Sequence, residues 1–248
     1  MTVAILVRRA LARPGQHDEE QILGPCERGA LGLGLTLAEA RGADAIAIAV
    51  GPARREDRVL AMALRAGCAR ALRVWDDGLE DLDYLGLAEV LAAAAKDVGA
   101  TIVVCGDRSV DERVGALGPA VAEVLGVAHV SGVIAARVGG ELVEIEHQAQ
   151  AGAVRLRVAP PLVLATAAPP VRDPAAPAPR PPPGAQAIAA KDLAELGLDG
   201  RRLAPRRALI GRLRPLRGAR QATILPDAAA LIDRLRGERV LPPLEVTP

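Results

Sequence analysis

Short, continuous apolar runs alternate with stretches of helical period from residue 2 to about residue 126. No other feature of the chain constrains its fold as much. Residues 2–7, 45–50, 69–75 and 100–106 read as strands. Between them Leu60, Ala63, Leu64 and Gly67 keep the i, i+3, i+4, i+7 spacing of one helix face, as do Leu87, Val90, Leu91 and Ala94. Leu117, Val121, Val124 and Leu125 continue the pattern, with Pro119 suited to a first helical turn. Strands that are apolar throughout, alternating with helices, imply an α/β fold: a parallel sheet covered on both faces.

From residue 127 the pattern changes. The stretch VAHVSGVIAARVGGELVEIEHQAQAGAVRLRVAPPLVLATA alternates with period two and is broken at Gly139-Gly140 and Gly152, which predicts antiparallel hairpins. Leu142, Glu144 and Glu146 alternate with Val143, Ile145 and His147, so one face is expected to be polar. Residues 167–184 carry eight prolines in 18 positions and are expected to form an extended, polyproline-like loop or linker. Residues 201–220 hold eight arginines and no acid, and PDAAALIDRLRGE reads as a closing helix capped by Asp227 and ended near Gly237. The expected organisation is an α/β body with its hairpin extension over 1–166, the Pro-rich linker over 167–184, and a C-terminal arm over 185–248 that packs on a partner subunit.

Composition narrows the function. Phe is absent and Trp75 and Tyr84 are the only rings, so a core of Leu, Val, Ile and Ala is implied and base-stacking nucleic-acid platforms are lacking. A net charge of +1 gives no global field toward nucleic acid or membrane. No apolar run approaches the ~18 residues of a spanning helix, and the start of the chain has no signal-peptide pattern, so a cytoplasmic location without membrane insertion is expected. Cys26, Cys68 and Cys105 form neither a disulfide framework nor a metal motif, and with three scattered histidines no metal site is expected. Cys26 and Cys105 read as small buried hydrophobes ahead of reactive thiols. The acidic residues around Trp75 read as solvated surface, and the arginine run as solvated or facing an acidic partner.

Two strand exits could hold a ligand. In open parallel sheets ligands lie outside the carboxyl ends of the strands. CGDRSVDERVGALGP, residues 105–119, runs from a buried-looking strand through a polar loop into Gly118-Pro119 at a helix head, and such a turn offers free N–H groups to an anion. VGPARRED, residues 50–57, is a second exit of the same kind. An ordinary surface loop and a tight strand-to-helix connection are the plain alternatives. No G-x-G-x-x-G, no Walker lysine and no catalytic triad spacing is present, so a binder or carrier without catalytic residues is expected.

Several stretches together resemble the beta subunit of electron transfer flavoproteins. GPCERGAL, residues 24–31, is similar to that family's Asn-Pro-Phe-(Asp/Cys)-Glu segment. LAEARGADAIAIAVGPARREDRVLAMALRAGCARALRV resembles its strand-Gly-Pro-helix block ending in Met-Gly-Ala-Asp. VVCGDRSVDERVGALGPAVAEVLG resembles its Gly-Lys-Gln-Ala-Ile-Asp…Gln-Thr-Gly-Pro signature. The hairpin region, PPLVLAT and LRPLRGARQATILPDAAALIDRLRG match in order and kind, so the resemblance covers nearly the whole chain. It implies a Rossmann-like nucleotide-binding fold that holds AMP. It also implies a heterodimer with an alpha subunit carrying FAD, which passes electrons from a flavin dehydrogenase to an acceptor.

Carried over by position, the AMP pocket would draw on Leu6, Gly24, Pro25, Cys26, Glu27, Val50, Gly106, Ser109, Val110, Asp111, Glu112, Arg113, Gly115, Ala116, Leu117 and Gly118. Three departures bear on it. Gly24 replaces the family's asparagine, Cys26 the aromatic, and Ala116-Leu117 the Gln-Thr pair. Each hydrogen bond lost to a charged group is worth roughly 1.5–3 kcal/mol, so weakened or lost AMP binding is expected, with Arg108 or Arg113 as compensating cations. The family's dehydrogenase-anchoring leucine has no counterpart in residues 167–184, which implies a dedicated dehydrogenase partner. The rival readings are a stand-alone adenine-nucleotide protein of the universal-stress kind and a structural subunit without its nucleotide.

Overall fold

The structure is a computed structural model that describes residues 2–10, 22–76, 79, 82–109, 113–150, 152–167, 188–200, 203 and 223–240. The chain divides into a unit of Met1–Ala208 and a second of Leu209–Pro248. In chain order the first unit contains β1 (Thr2–Leu6), β2 (Arg9–Ala10), β3 (Ile22–Leu23), α1 (Pro25–Arg41), β4 (Asp44–Val50), α2 (Ala53–Ala66), β5 (Arg70–Val74) and α3 (Tyr84–Asp97). It continues through β6 (Ala100–Gly106), α4 (Leu117–Leu125), β7 (Ala128–Gly139), β8 (Leu142–Ala149), β9 (Gly152–Val158), β10 (Leu162–Thr166) and β11 (Ile188–Lys191). The second contributes α5 (Ala228–Gly237), where Asp227 caps the helix by accepting from the Ala230 amide at 2.8 Å.

One nine-stranded sheet runs β11-β5-β4-β1-β6-β10-β7-β8-β9. The pairs from β11 to β7 are parallel, and β8 and β9 extend the sheet antiparallel. Alternation along each central strand splits the core in two. Val3 and Ile5, Ile102 and Val104, Leu162 and Leu164 face α1 and α2. Ala4 and Leu6, Val103 and Cys105, Val163 and Ala165 face α3 and α4. Both faces of each strand are buried, which is why these strands read as unbroken apolar runs.

Three elements depart from the sequence reading. PPLVLAT does not close the hairpin series: β10 inserts between β6 and β7 and is parallel to both, every residue buried. Its continuous apolar run belongs to an interior strand, and period two describes only β7 to β9. Ile188–Lys191, placed in the C-terminal arm, pairs with β5, and Leu193 and Leu203 are buried in the core on the α3 side. The 17-residue α1 was not anticipated at all. Gly29, Gly32 and Gly34 blur its apolar stripe, and glycine costs a helix about 1 kcal/mol relative to alanine. Packing reverses that preference, because a Cβ at residue 34 would lie 2.5 Å from Ile5 Cγ1.

The hairpin extension follows its pattern. Val143 and Ile145 are buried, while Glu144 and Glu146 line the opposite face with Arg137, Arg155 and Arg157. The Pro-rich stretch from residue 168 onward and most of the arginine run lie outside the described residues.

Candidate functional site

Strand order reverses beside β1. From β1 the chain steps outward through β4 to β5, then crosses back over α3 to β6 on the other side of β1. The carboxyl ends of β1 and β6 therefore flank a crevice with helices leaving on opposite faces, the place where open α/β sheets bind ligands. α1 begins on one face and α4 on the other.

The first turn of α1 reaches the end of β6. Pro25 occupies the first helical position, where its missing N–H has no consequence, and Gly24 precedes it in an extended conformation. A Cβ on Gly106 would lie 3.0 Å from Cys26 Cβ and 3.4 Å from the Glu27 nitrogen, so a side chain there would crowd the first turn of α1. Cys26 is half-buried and Glu27 is buried. Burial pushes the Cys26 thiol above its ordinary range. The Arg108 backbone amide pulls it down, Glu27 and Asp107 push it up, and the Arg108 charge lowers it.

Beyond Gly106 the loop is tied back to the sheet. Ser109 Oγ accepts from the Arg113 amide at 3.2 Å, and Arg113 takes a positive φ of 54°. Gly115, with φ 66°, folds over the strand end, where a Cβ would lie 3.1 Å from the Asp107 carbonyl oxygen. Leu117 packs into the core on the α3 and α4 side, and Gly118 is buried there, a Cβ on it lying 3.0 Å from His129 Nε2 and 3.1 Å from Cys105 Sγ. Val110, Asp111 and Glu112 lie outside the described residues.

The structure thus brings Cys26 and Glu27 onto Gly106 and Cys26 onto the Arg108 amide, with Gly24 and Pro25 just ahead of them at the start of α1. Leu6 points its side chain into the core, and Ala116 and Leu117 lie at the start of α4, on the far face from α1. Val50 ends β4 next to Gly51, against which Glu56 is buried; a Cβ at residue 51 would lie 2.6 Å from Glu56 Cγ. Glu56 accepts from the Arg9 amide at 3.3 Å, and burial raises its carboxyl above the ordinary range against the pull of that amide and of Arg9, Arg8 and Arg55. Cys105 is fully buried, and desolvation pushes its thiol up to about 12; Cys68 is likewise pushed up to about 12. Neither is a nucleophile at neutral pH.

Two side chains that the sequence reading passed over complete the strand ends. Asp107 accepts from the Gly132 amide at 3.2 Å, and its own amide donates to the Thr166 carbonyl at 2.9 Å. The buried Thr166 hydroxyl donates to the Val133 carbonyl at 2.8 Å. No sequence signal marks this linkage, since the partners are 25 and 33 residues apart. Among the described residues no group of His, Cys, Asp and Glu could hold a metal ion, and no helix is long and apolar enough to cross a membrane.

A doubly wound α/β protein whose strand order switches between β1 and β6, extended by an antiparallel hairpin unit, is what the fold defines. The family model for the electron transfer flavoprotein domain matches residues 15–196, and the chain belongs to that family. The chain is 28% identical to the electron transfer flavoprotein subunit beta of Clostridium acetobutylicum over 158 residues, 64% of this chain and 60% of that protein. The Bacillus subtilis subunit beta is 27% identical over 181 residues, 73% of this chain and 68% of that protein. Protein FixA of Azorhizobium caulinodans is 26% identical over 151 residues, 58% and 53% of the two chains. The match therefore spans about 60% of the Clostridium relative's length. The chain is a divergent member on the beta side of the family, and the stand-alone stress-protein reading is not favoured.

Proposed function

We propose that this chain is the beta subunit of a heterodimeric electron transfer flavoprotein, an electron carrier without catalytic residues of its own. It pairs with an alpha subunit that holds the FAD, and the flavin supplies the redox chemistry while the protein supplies position and electrostatics. The observation that carries this reading is the meeting of Gly106 with the first turn of α1 at the switch between β1 and β6, in a chain whose relatives are named beta subunits.

The crevice residues fit an adenine nucleotide in part. The amides of Cys26 and Glu27 open the first turn of α1, Arg108 adds a cation, and glycine at 106 lets that first turn approach the end of β6. Ala116 and Leu117 bring no polar side chain to a phosphate. We infer an AMP-type ligand held mainly by backbone groups, with FAD outside this subunit.

The test is co-expression with an alpha-type flavoprotein subunit, followed by an absorbance spectrum and nucleotide extraction. A stable complex with flavin absorbance is expected, the isolated chain remaining colourless. A flavin-loaded preparation of the isolated chain would overturn the assignment. We also infer a dedicated dehydrogenase, because residues 167–184 contain no leucine, aromatic or lysine. Efficient reduction of the heterodimer by a conventional acyl-CoA dehydrogenase, unaffected by deleting residues 172–183, would refute that part.

A further inference from the structure

β9 (Gly152–Val158) forms one edge of the nine-stranded sheet and pairs with β8 along its whole length without a bulge. Alternate amides and carbonyls of such a strand point away from its neighbour, and among the described residues no strand meets them. Sheet edges are ordinarily kept short, bulged, interrupted by proline or covered, because open backbone groups invite another strand. The opposite edge, β11, is four residues long, whereas β9 has seven and no proline. Residues 152–155 are all exposed.

The two faces of β9 differ in chemistry. On one, Val154, Leu156 and Val158 stand opposite His147, Ile145 and Val143. Leu156 and Val158 pack against the core, and Val154 is 40% exposed. On the other face, charge alternates from strand to strand. Arg137 on β7 meets Glu144 on β8 at 2.7 Å, and Glu144 meets Arg157 on β9 at 3.6 Å. Glu146 meets Arg155 at 3.6 Å in the same way. The ladder therefore ends at the open edge on two arginines, 86% and 64% exposed, whose acids lie on the β8 side.

A second copy of this chain is a poor occupant of that edge. Antiparallel pairing of β9 with its own copy in full register sets Arg155 opposite Arg155, and the next register toward its carboxyl end sets Arg155 opposite Arg157. Like charges directly opposite destabilise a strand pair. An acid at those positions continues the alternation instead, and an apolar residue between the acids extends the side formed by Val154, Leu156 and Val158. We propose that β9 is a docking edge for an extended segment of a partner protein in which acidic residues alternate with apolar ones. Main-chain bonds to the open edge supply affinity, and the two arginines supply choice by barring self-pairing and favouring acids. The proposal is independent of what the crevice between β1 and β6 binds.

The test uses the full chain and two peptides with blocked ends, one alternating Glu with Val and the other Lys with Val. In the chain alone, the β9 amides that point away from β8 should exchange with solvent faster than those bonded to it. The Glu-Val peptide should protect them, with an affinity that falls as salt is raised, and the Lys-Val peptide should not bind. Arg155→Gln together with Arg157→Gln, its folding checked by a thermal melt, should weaken the Glu-Val peptide roughly tenfold. Outward amides already protected in the chain alone, by a second copy or by another segment of this chain, would overturn the proposal. So would a Glu-Val peptide that gives no protection, or binding indifferent to the charge of the peptide and to the two arginines.

Discussion

The family resemblance implies that Gly118 bounds the ligand, where a larger side chain would crowd an approaching phosphate. The structure points a Cβ at this position into the core. A Cβ there would meet His129 Nε2 at 3.0 Å, Cys105 Sγ at 3.1 Å and Ala165 Cβ at 3.2 Å, on three sides at once. Alanine at 118 therefore overpacks the seam between α4 and the sheet, which costs about 1–3 kcal/mol. A better helix former returns at most about 1 kcal/mol, leaving a net loss of ~1 kcal/mol at the middle of that range. For a chain of this size each kcal/mol lowers Tm by roughly 2–4 °C. Gly118→Ala should thus melt some ~2–4 °C lower in scanning calorimetry with no nucleotide present, and Gly118→Val lower still. An unchanged Tm with a selective loss of nucleotide binding would refute the reasoning and restore the ligand-crowding view.

Other predictions follow from single contacts. Gly34→Ala drives a methyl onto Ile5 Cγ1 and Cδ1 and should destabilise by ~1–2 kcal/mol despite the gain in helix propensity; pairing it with Ile5→Val should recover part of the loss in urea titrations. Thr166→Val keeps the shape but removes the buried bond to the Val133 carbonyl, at roughly 1–3 kcal/mol, and hydrogen exchange should quicken at the ends of β7 and β10. Burial raises the Glu56 carboxyl above its ordinary value of 4.5, so the folded chain binds the extra proton and stability falls as pH rises through the window above that value. Glu56→Gln should abolish this segment of the pH–stability curve. His129 runs the opposite way: desolvation lowers it from 6.5 against the pull of Asp107, so stability falls as pH drops below that value, and His129→Gln should flatten the acid limb.

Apart from β2, β3 and α1, the order of strands and helices up to α4 was legible in the sequence for a definite reason. A strand buried on both faces must be apolar at nearly every position, and residues 2–7, 45–50 and 100–106, with only Thr2 and Thr101 polar, satisfy that without reference to their neighbours. The polar face of Glu144 and Glu146 was legible likewise, because period two encodes one solvated side. The pairing of GPCERGAL with the loop after Gly106 came into view only through family resemblance, since 80 residues of chain separate Cys26 from Gly106. Tertiary structure alone decided the rest. Whether LVLAT joins a hairpin or enters the sheet interior depends on which edge is open to it. Glycine at 34 is a poor helix residue until Ile5 lies beneath it. Asp107 is one acid in a polar loop until the bulge at Gly132 turns an amide toward it, and that contact exists only because β10 and β7 complete the sheet beside β6.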